Sequence, residues 1–277
     1  MRGLNFTLLA SFSVFFMACT NSGSNASAVS KKSLATDSLS YSIELTSKEL
    51  PCEPVKENPC LELSVSLLSI NAGTDSESQR KINRVLFKQA TELDNPNSMP
   101  PKNIHEFIAE WTEEYQQLQI DEADFDQQWY CHHSFEVYKN APQLFGVTFH
   151  SNSYTGGNHP NVYLRHFNFS PQTGAVYKLH QLFTKEGFKA FLKIAEKQFR
   201  KQFELSATAS LESNNFWFPS NTFRLPANFK INKHQLGLVY QVYEVAPYTT
   251  GAIELSFSID DLSPLLHSDF LFLQSTP

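Results

Sequence analysis

The chain has 277 residues, and its 28 acidic against 22 basic side chains give a formal net charge of −6 at pH 7. This balance argues against a nucleic-acid binder, because such proteins concentrate Lys and Arg on one surface. The length is sufficient for one large domain or two small ones, and 24 Phe with 10 Tyr supply an ample core.

The N-terminus has the pattern of an export signal that ends in a lipid-modified cysteine. Arg2 precedes an apolar run too short to span a membrane, and small Ala18 comes directly before Cys19. We expect residues 1–18 to be a signal peptide, Cys19 to carry the lipid, and residues 19–38, which are poor in large apolar side chains, to form a flexible tether. This predicts a lipid anchor in a bacterial cell envelope, on the outer membrane facing the periplasm. An ordinary signal with a chance cysteine is the alternative.

The first part of the folded region predicts two strands, two helices and then more strands. Apolar residues alternate from Tyr41 and again along Leu61–Ile70, which indicates strands. Helical spacing predicts one helix that ends before Asn95 and another that Asn103 caps. Three further strands are predicted at residues 127–138, 143–151 and 162–170.

The second part predicts one long helix and two strands. Thr184 can cap a helix whose apolar stripe extends to Phe203. One strand is predicted at Leu236–Val245 and another at Ala252–Ile259, and a closing helical segment at Ile259–Leu266.

Strands and helices come in runs and not in strict alternation, so we expect an α+β fold with mostly antiparallel sheet packed with a few helices. A boundary near residue 155 would give two subdomains, at residues 39–154 and 155–277. No repeat of solenoid length is visible.

The cysteines beyond the signal suggest one disulfide. Cys52 and Cys60 flank a short, Pro-bounded segment, and an export compartment permits their pairing. Cys131 is the odd one, and its aromatic surroundings favour a buried thiol over a reactive one. Zinc is the alternative, but no familiar ligand spacing supports it.

Nine histidines invite a metal interpretation that their spacing does not support. His132 and His133 are adjacent on a predicted strand and should face opposite ways. His150, His159 and His166 could converge only if their strands paired suitably. We therefore predict no metal and no cofactor.

The segment Tyr154–Asn161 has the chemistry of a ligand-binding loop. Gly156 and Gly157 permit positive φ and close approach of a ligand to the backbone, and Asn158 and His159 offer donors and acceptors. The alternative is a plain connection between two strands, with His159 holding the turn through hydrogen bonds to the backbone.

A second polar position lies far downstream, where Glu244 is the only carboxylate in its predicted strand, between Tyr243 and Tyr248. General acid catalysis by Glu244 would need a partner, and His159 is the obvious candidate. A structural pairing of the carboxylate is the simpler interpretation.

Five motifs follow one another in a family-specific order. They are Tyr154–Asn161, Phe167–Gly174, Leu179–Phe183, Asn228–Leu238 and Tyr240–Gly251. With them, residues 40–268 resemble the paired domains of unknown function found in RsiV-type anti-sigma factors and PdaC-type polysaccharide deacetylases. The resemblance implies a two-part α+β ectodomain that binds an envelope component, which is lysozyme for RsiV and suggests cell-wall association for PdaC. Pro160 departs from the small residue that members commonly carry, so its loop should be stiffer and its ligand different.

We therefore expect a membrane-anchored binding module, not an enzyme, whose partner is a cell-wall glycan or a lysozyme-like protein. We expect neither sigma-factor signalling nor deacetylation. The candidate ligand-binding residues are Tyr154, Gly156, Gly157, Asn158, His159, Tyr243, Glu244 and Tyr248. The alternatives are a hydrolase that uses His159 and Glu244, and a structural envelope scaffold.

Overall fold

A computed structural model describes most of the chain from Ser38 onward. The described residues are 38–52, 59–92, 99–122, 125–232 and 234–274, with the backbone of 30–31. The predicted signal peptide, Cys19 and most of the predicted tether lie outside the described residues.

The first unit is a six-stranded sheet whose strands lie side by side in chain order. They are β1 (Ser30–Lys31), β2 (Ser40–Leu50), β3 (Leu61–Ala72), β4 (Trp129–Ala141), β5 (Leu144–Tyr154) and β6 (Asn161–Phe169). Only β3 and β4 pair in parallel, since the chain between them makes a crossover through α1 (Ser76–Glu92) and α2 (Ile104–Asp121).

The two helices cover one face of this sheet because their apolar stripes match its alternation. Residues at every second position of the first half of β3 are buried, and helix α1 buries Ile82, Leu86 and Ala90. Helix α2 begins where predicted, since the Asn103 side chain accepts a hydrogen bond from the N–H of Glu106 at 3.0 Å.

The second unit packs one long helix on a small antiparallel sheet. The regular elements are α3 (Lys185–Gln202), β7 (Phe229–Ile231), β8 (Gln235–Tyr240), β9 (Ile253–Ser258) and α4 (Ile259–Leu262). Short 3₁₀ turns lie at Leu179–Leu182, Glu212–Asn214, Pro219–Asn221, Tyr248–Thr250, Ser263–Leu265 and Ser268–Leu273. Thr184 caps α3 as predicted, accepting from the N–H of Gly187 at 2.9 Å.

The predicted α+β fold, with two subdomains and mostly antiparallel sheet, is confirmed. The strand predicted at Leu236–Val245 is wrong beyond Tyr240, where a tight turn begins. The first sheet includes β6 and so extends to Phe169, past the boundary predicted near residue 155.

Strand β6 contacts the second unit through side-chain amides. Asn228 accepts from the N–H of His166 and donates to the carbonyl oxygen of Leu164, both at 2.7 Å. Gln241 bonds the same Leu164 residue, accepting from its N–H at 3.1 Å and donating to its carbonyl oxygen. The two amides thus occupy main-chain groups on the side of β6 away from β5.

A polar joint, made of Tyr138, Thr148, His166 and Asn168, lies beside these amides. The Tyr138 hydroxyl donates to Asn168 Oδ1 at 2.6 Å, and Asn168 Nδ2 donates to the carbonyl oxygen of Phe229 at 2.8 Å. His166 Nδ1 lies 3.0 Å from the Thr148 hydroxyl. The pKa of His166 is lowered to about 4, chiefly by desolvation and in smaller part by the nearby charges of Lys230 and His150. The joint therefore links the units through buried hydrogen bonds.

Candidate functional site

The segment Tyr154–Asn161 closes the hairpin between β5 and β6. Gly156 has φ +98° and Gly157 has φ +104°, a backbone conformation that residues other than glycine rarely adopt. A Cβ atom on Gly156 would also lie 2.1 Å from Gln127 Oε1. The Tyr154 hydroxyl donates to the Gly157 carbonyl oxygen at 2.9 Å, so the loop is held from within.

His159 brings this loop against the Tyr243–Tyr248 segment, although the two are more than 80 residues apart in the chain. Its ring stacks on Tyr248, with centroids 3.8 Å apart and planes within 18°. Nδ1 lies 3.1 Å from the Pro160 carbonyl oxygen, and Nε2 lies 3.1 Å from the Tyr243 hydroxyl. Since a carbonyl can only accept, Nδ1 carries the hydrogen of its bond to Pro160, and in the imidazole tautomer with that hydrogen Nε2 accepts from the Tyr243 hydroxyl.

Four rings make up an aromatic patch: Trp217, Tyr243, Tyr248 and His159. Tyr243 lies nearly parallel to Trp217, with centroids 6.4 Å apart and an angle of 12°, and 5.6 Å from Tyr248. Trp217 is 47% exposed and Tyr243 52% exposed. The backbone N–H of Trp217 donates to the Val245 carbonyl oxygen at 2.8 Å, and this bond fixes the main chain that carries the indole. The patch is therefore an ordered surface with exposed ring area.

Tyr243 occupies an unusual backbone conformation, with φ +66°. A non-glycine residue in the left-handed region costs conformational energy and persists where its surroundings enforce it. The turn enforces it here: Glu244 Oε2 accepts from the Gln241 N–H at 2.7 Å, and the Glu244 N–H donates to the Gln241 carbonyl oxygen at 3.0 Å. This turn directs the Tyr243 ring into the patch instead of continuing β8.

Glu244 therefore stabilises the turn through its hydrogen bonds to Gln241. Its pKa is raised because neighbouring atoms partly desolvate the carboxylate, while the hydrogen bond from Gln241 opposes the rise. The ring nitrogens of His159 bond Pro160 and Tyr243, so neither residue of the suggested acid–base pair has the other as its hydrogen-bond partner.

A depression of about 300 Å³ lies beside the patch. Its wall combines His159, Tyr243 and Tyr248 with Asn161 and Tyr163 of β6. Of the candidate residues, the structure gathers His159, Tyr243 and Tyr248 here, while Tyr154, Gly156 and Gly157 shape the loop behind them. Asn158 lies on that loop and is exposed.

Trp217 is the member of the patch that the sequence did not single out. It belongs to a stretch rich in aromatic residues and proline that has neither the period of a strand nor that of a helix. The sequence pattern therefore does not indicate whether the Trp217 side chain faces the core or the solvent. Its neighbours Phe216 and Phe218 are buried, and this alternation is the one local sign that Trp217 faces outward.

The cysteines occupy the first unit. Cys52 and Cys60 form a disulfide, with Cα atoms 4.9 Å apart. Cys131 is buried, and its Sγ lies 3.4 Å from Nε2 of His133, whose Nδ1 donates to the Ala90 carbonyl oxygen at 2.7 Å. The thiol is therefore the donor of this buried pair.

Within the described ranges, no group of three or more His, Cys, Asp or Glu side chains is arranged to hold a metal ion. His132 lies 3.0 Å from Glu62 and His150 lies 3.8 Å from Glu136, so these imidazoles face carboxylates on the exposed sheet face and do not converge. In the same part of the chain, no helix is long and apolar enough to cross a membrane.

Two family models match the chain in succession. Residues 55–162 match the family described as deacetylase PdaC, and residues 180–260 match the protein family of unknown function DUF3298. These matches confirm the predicted resemblance to a paired PdaC-like and unknown-function architecture. No curated protein matches the chain.

Solved structures of DUF3298 proteins share the fold. A family member from Bacteroides fragilis NCTC 9343 superposes with a TM-score of 0.67 at 17% identity, covering 87% of this chain and 98% of that one. Another, from Pseudomonas aeruginosa PAO1, gives a TM-score of 0.60 at 16% identity, covering 85% and 98%. At such identities the likeness shows the fold alone.

Proposed function

Because the chain joins a PdaC-like segment to a DUF3298 segment, we propose that it is a lipid-anchored binding module of the bacterial cell envelope, with a cell-wall glycan as its ligand. The observation that carries the proposal is the aromatic patch, in which Trp217 and Tyr243 present about half of their surface to solvent. The Cys52–Cys60 disulfide supports an oxidising compartment outside the cytoplasm. The proposed anchor is Cys19, in the outer membrane facing the periplasm.

The patch has the surface that a sugar ring requires. Sugar rings expose C–H groups on their faces, and these pack against aromatic faces while the hydroxyls form hydrogen bonds at the ring edge. Trp217 and Tyr243 supply the faces, and the Tyr243 hydroxyl and the exposed amide of Asn161, which lines the adjoining depression, supply polar groups near the rim. Aromatic side chains have few torsions to fix, so binding loses little entropy.

Binding without catalysis is the function that these contacts support. His159 has both ring nitrogens engaged, and the Glu244 carboxylate accepts from its own turn. A hydrolase would need an acid and a base that meet at the scissile bond. The proposal therefore assigns His159 to holding Tyr243 and Tyr248 in place.

The proposal is tested by a pull-down assay. It measures how much of the full chain, kept in detergent micelles, is retained on insoluble peptidoglycan. The double variant Trp217→Ala with Tyr243→Ala should lose at least about tenfold in affinity, since central aromatic anchors dominate binding energy. Ile194→Ala on α3 is the matched control, because Ile194 is also an exposed apolar side chain, 42% exposed, outside the patch. Equal retention of the double variant and the wild type would remove the patch as the binding site.

A lysozyme-like protein is the second candidate ligand, because exposed Trp and Tyr also act as anchors of protein interfaces. Immobilised lysozyme therefore runs beside peptidoglycan in the same assay. Retention on lysozyme alone would replace the glycan with a protein partner, and retention on neither would end both proposals. For the anchor, Cys19→Ala should move the protein from the membrane to the soluble fraction.

A further inference from the structure

Helix α3 presents a basic face to solvent on a chain that is acidic as a whole. Six of the 22 basic residues lie on this helix, against two of the 28 acidic ones. Its buried side packs Phe191, Ala195 and Phe199 into the core of the second unit. The helix is therefore amphipathic, with positive charge opposite its apolar stripe. Its five lysines are all exposed, and they are Lys185, Lys189, Lys193, Lys197 and Lys201.

The lysines spread over the whole solvent side of α3. Positions four apart are offset by about 40° around a helix axis, so five lysines at this spacing fan across about 160°. Lys193, in the middle of the series, lies on the side opposite the buried stripe. A fan of this kind presents charge to a broad, flat surface and not to a narrow groove.

Most of this charge has no carboxylate partner. Glu186 lies 3.2 Å from Lys189, and Glu196 lies 2.8 Å from Arg200, so the two carboxylates of the helix neutralise two of its six cations. Four cations on a chain of net charge −6 favour an anionic surface as the partner of this face. In the described part of the chain no carboxylate lies within ion-pair distance of these four, which are Lys185, Lys193, Lys197 and Lys201.

An apolar side chain borders the basic face. Ile194 is 42% exposed and lies at the edge of the lysine fan, directly after Lys193 in the chain. A lysine lays its apolar stem along a surface while its ammonium group reaches polar groups, and an adjacent aliphatic side chain extends that apolar contact. Lysines with an aliphatic neighbour on one exposed helix face are suited to a phospholipid surface, which offers phosphates above an apolar layer.

The proposed lipid anchor would hold this face near a membrane. Ser30, where β1 begins, follows Cys19 by 11 positions, and a chain of that length spans about 40 Å at most. Physiological salt screens charges over about 8 Å, so only a face that touches the bilayer gains electrostatic attraction. Anionic lipid would attract α3 and repel the acidic remainder of the chain, so the charge distribution favours one orientation.

We propose that the basic face of α3 lies on the anionic phospholipid surface to which the chain is anchored, and so orients the folded part on the membrane. The inference rests on the proposed anchor at Cys19. Polybasic contact alone is weak, so Cys19→Ala still releases the protein. The orientation also governs the aromatic patch, because Phe199 of α3 packs against Phe216 with ring centroids 4.9 Å apart, and Trp217 is the next residue.

Lysine footprinting on vesicles tests the orientation. The full lipid-modified chain is inserted from micelles into vesicles of phosphatidylcholine and into vesicles that also contain phosphatidylglycerol. A membrane-impermeant, amine-reactive reagent then labels the exposed lysines, and mass spectrometry of peptides gives the rate at each. Anionic vesicles should slow labelling of Lys193 and Lys197 at least about threefold relative to neutral vesicles, and high salt should remove the difference. Lys48, exposed on β2 of the other unit, should be labelled equally on both.

The assay separates failure of the orientation from failure of the anchor. Equal labelling of Lys193 on the two kinds of vesicle, with the chain cosedimenting with both, overturns the orientation and leaves the anchor standing. Absence of the chain from both vesicle pellets contradicts the anchor, and the orientation fails with it. Slower labelling of Lys193 on insoluble peptidoglycan but not on anionic vesicles assigns the face to the cell wall and overturns the membrane proposal.

Variants locate the contact on α3. With Lys193→Gln and Lys197→Gln together, Lys201 should be labelled on anionic vesicles at a rate within about twofold of that on neutral vesicles, because the attraction is halved. The matched control is Lys81→Gln with Lys102→Gln, which removes the same charge from exposed lysines outside α3 and should keep Lys201 protected. An equal loss of protection in the control would mean general attraction of the chain and would overturn the proposal. Thermal unfolding checks that both variants fold.

Discussion

The polar joint and the aromatic patch both connect the β5–β6 hairpin to the second unit, yet they are built in opposite ways. In the joint, Asn168 is 1% exposed and its amide is bonded to both Tyr138 and Phe229. In the patch, Trp217 and Tyr243 are about half exposed, and the Tyr243 backbone is strained. Satisfied buried polar groups hold a fold together, whereas exposed rings on a strained turn contribute little to it. We therefore expect stability to depend on the joint and binding on the patch.

Replacement of Asn168 should have the largest effect on stability. Asn168→Ala leaves the Phe229 carbonyl without its amide donor and the Tyr138 hydroxyl with only the longer contact to the Phe167 carbonyl oxygen at 3.4 Å, so the free energy of unfolding should fall by about 3 kcal/mol. Denaturant unfolding measures it. Asn152→Ala, an exposed asparagine on β5, serves as the control and should change stability by less than about 0.5 kcal/mol. Comparable losses in both variants would contradict the role given to the joint.

Acid should weaken the joint through His166. Its folded pKa of about 4 lies below the ordinary histidine value of 6.5, so the unfolded chain binds the extra proton first as pH falls. Stability should therefore decrease between pH 6.5 and 4 and lose up to about 3 kcal/mol from this residue. The measurement is unfolding free energy against pH for the wild type and His166→Asn. A variant with the wild-type slope would exclude His166 as the cause.

The loop glycines should show a smaller and graded effect. Gly157→Ala introduces only the strain of positive φ, because nothing lies within 4 Å of its added Cβ, and should cost about 1 kcal/mol. Gly156→Ala adds a clash with Gln127 and should cost about 2 kcal/mol. Thermal unfolding compares them. Equal costs would show that Gln127 moves away freely.

Tyr243 should show the smallest effect on stability and a clear effect on binding. Tyr243→Gly removes ring and strain, whereas Tyr243→Ala removes the ring and keeps positive φ. The glycine variant should be more stable than the alanine variant by about 1 kcal/mol, and both should lose peptidoglycan retention equally. Unfolding and retention assays on the pair check this. Identical stabilities would mean that the turn carries no strain.

Local features of the fold followed from the sequence because they depend on residues a few positions apart. The period of two in β3 and the caps at Asn103 and Thr184 are examples. The strand predicted through Val245 failed because alternating Val and Tyr favour a strand, while the Glu244 carboxylate closes a turn on the Gln241 N–H. A side-chain hydrogen bond of that kind leaves no periodic pattern.

The candidate site was predictable in parts but not as an assembly. The Gly-Gly-Asn-His motif and the Tyr243–Tyr248 segment were both identified from the sequence, but their meeting depends on how the two units pack. The stacking of His159 on Tyr248 joins positions 89 apart. Trp217 reaches the same patch from a stretch with no regular element of its own, so only the structure shows that its ring is a member.

The side-chain amides of Asn228 and Gln241 have a further consequence for molecules crowded on a surface. Strand β6 is the last strand of its sheet, and exposed main-chain groups there would offer a template on which a second copy could add a strand. The amides occupy the N–H and carbonyl of Leu164 and the N–H of His166. This edge is therefore protected against pairing with the edge strand of a second copy, even at the high local concentration that a lipid anchor would produce.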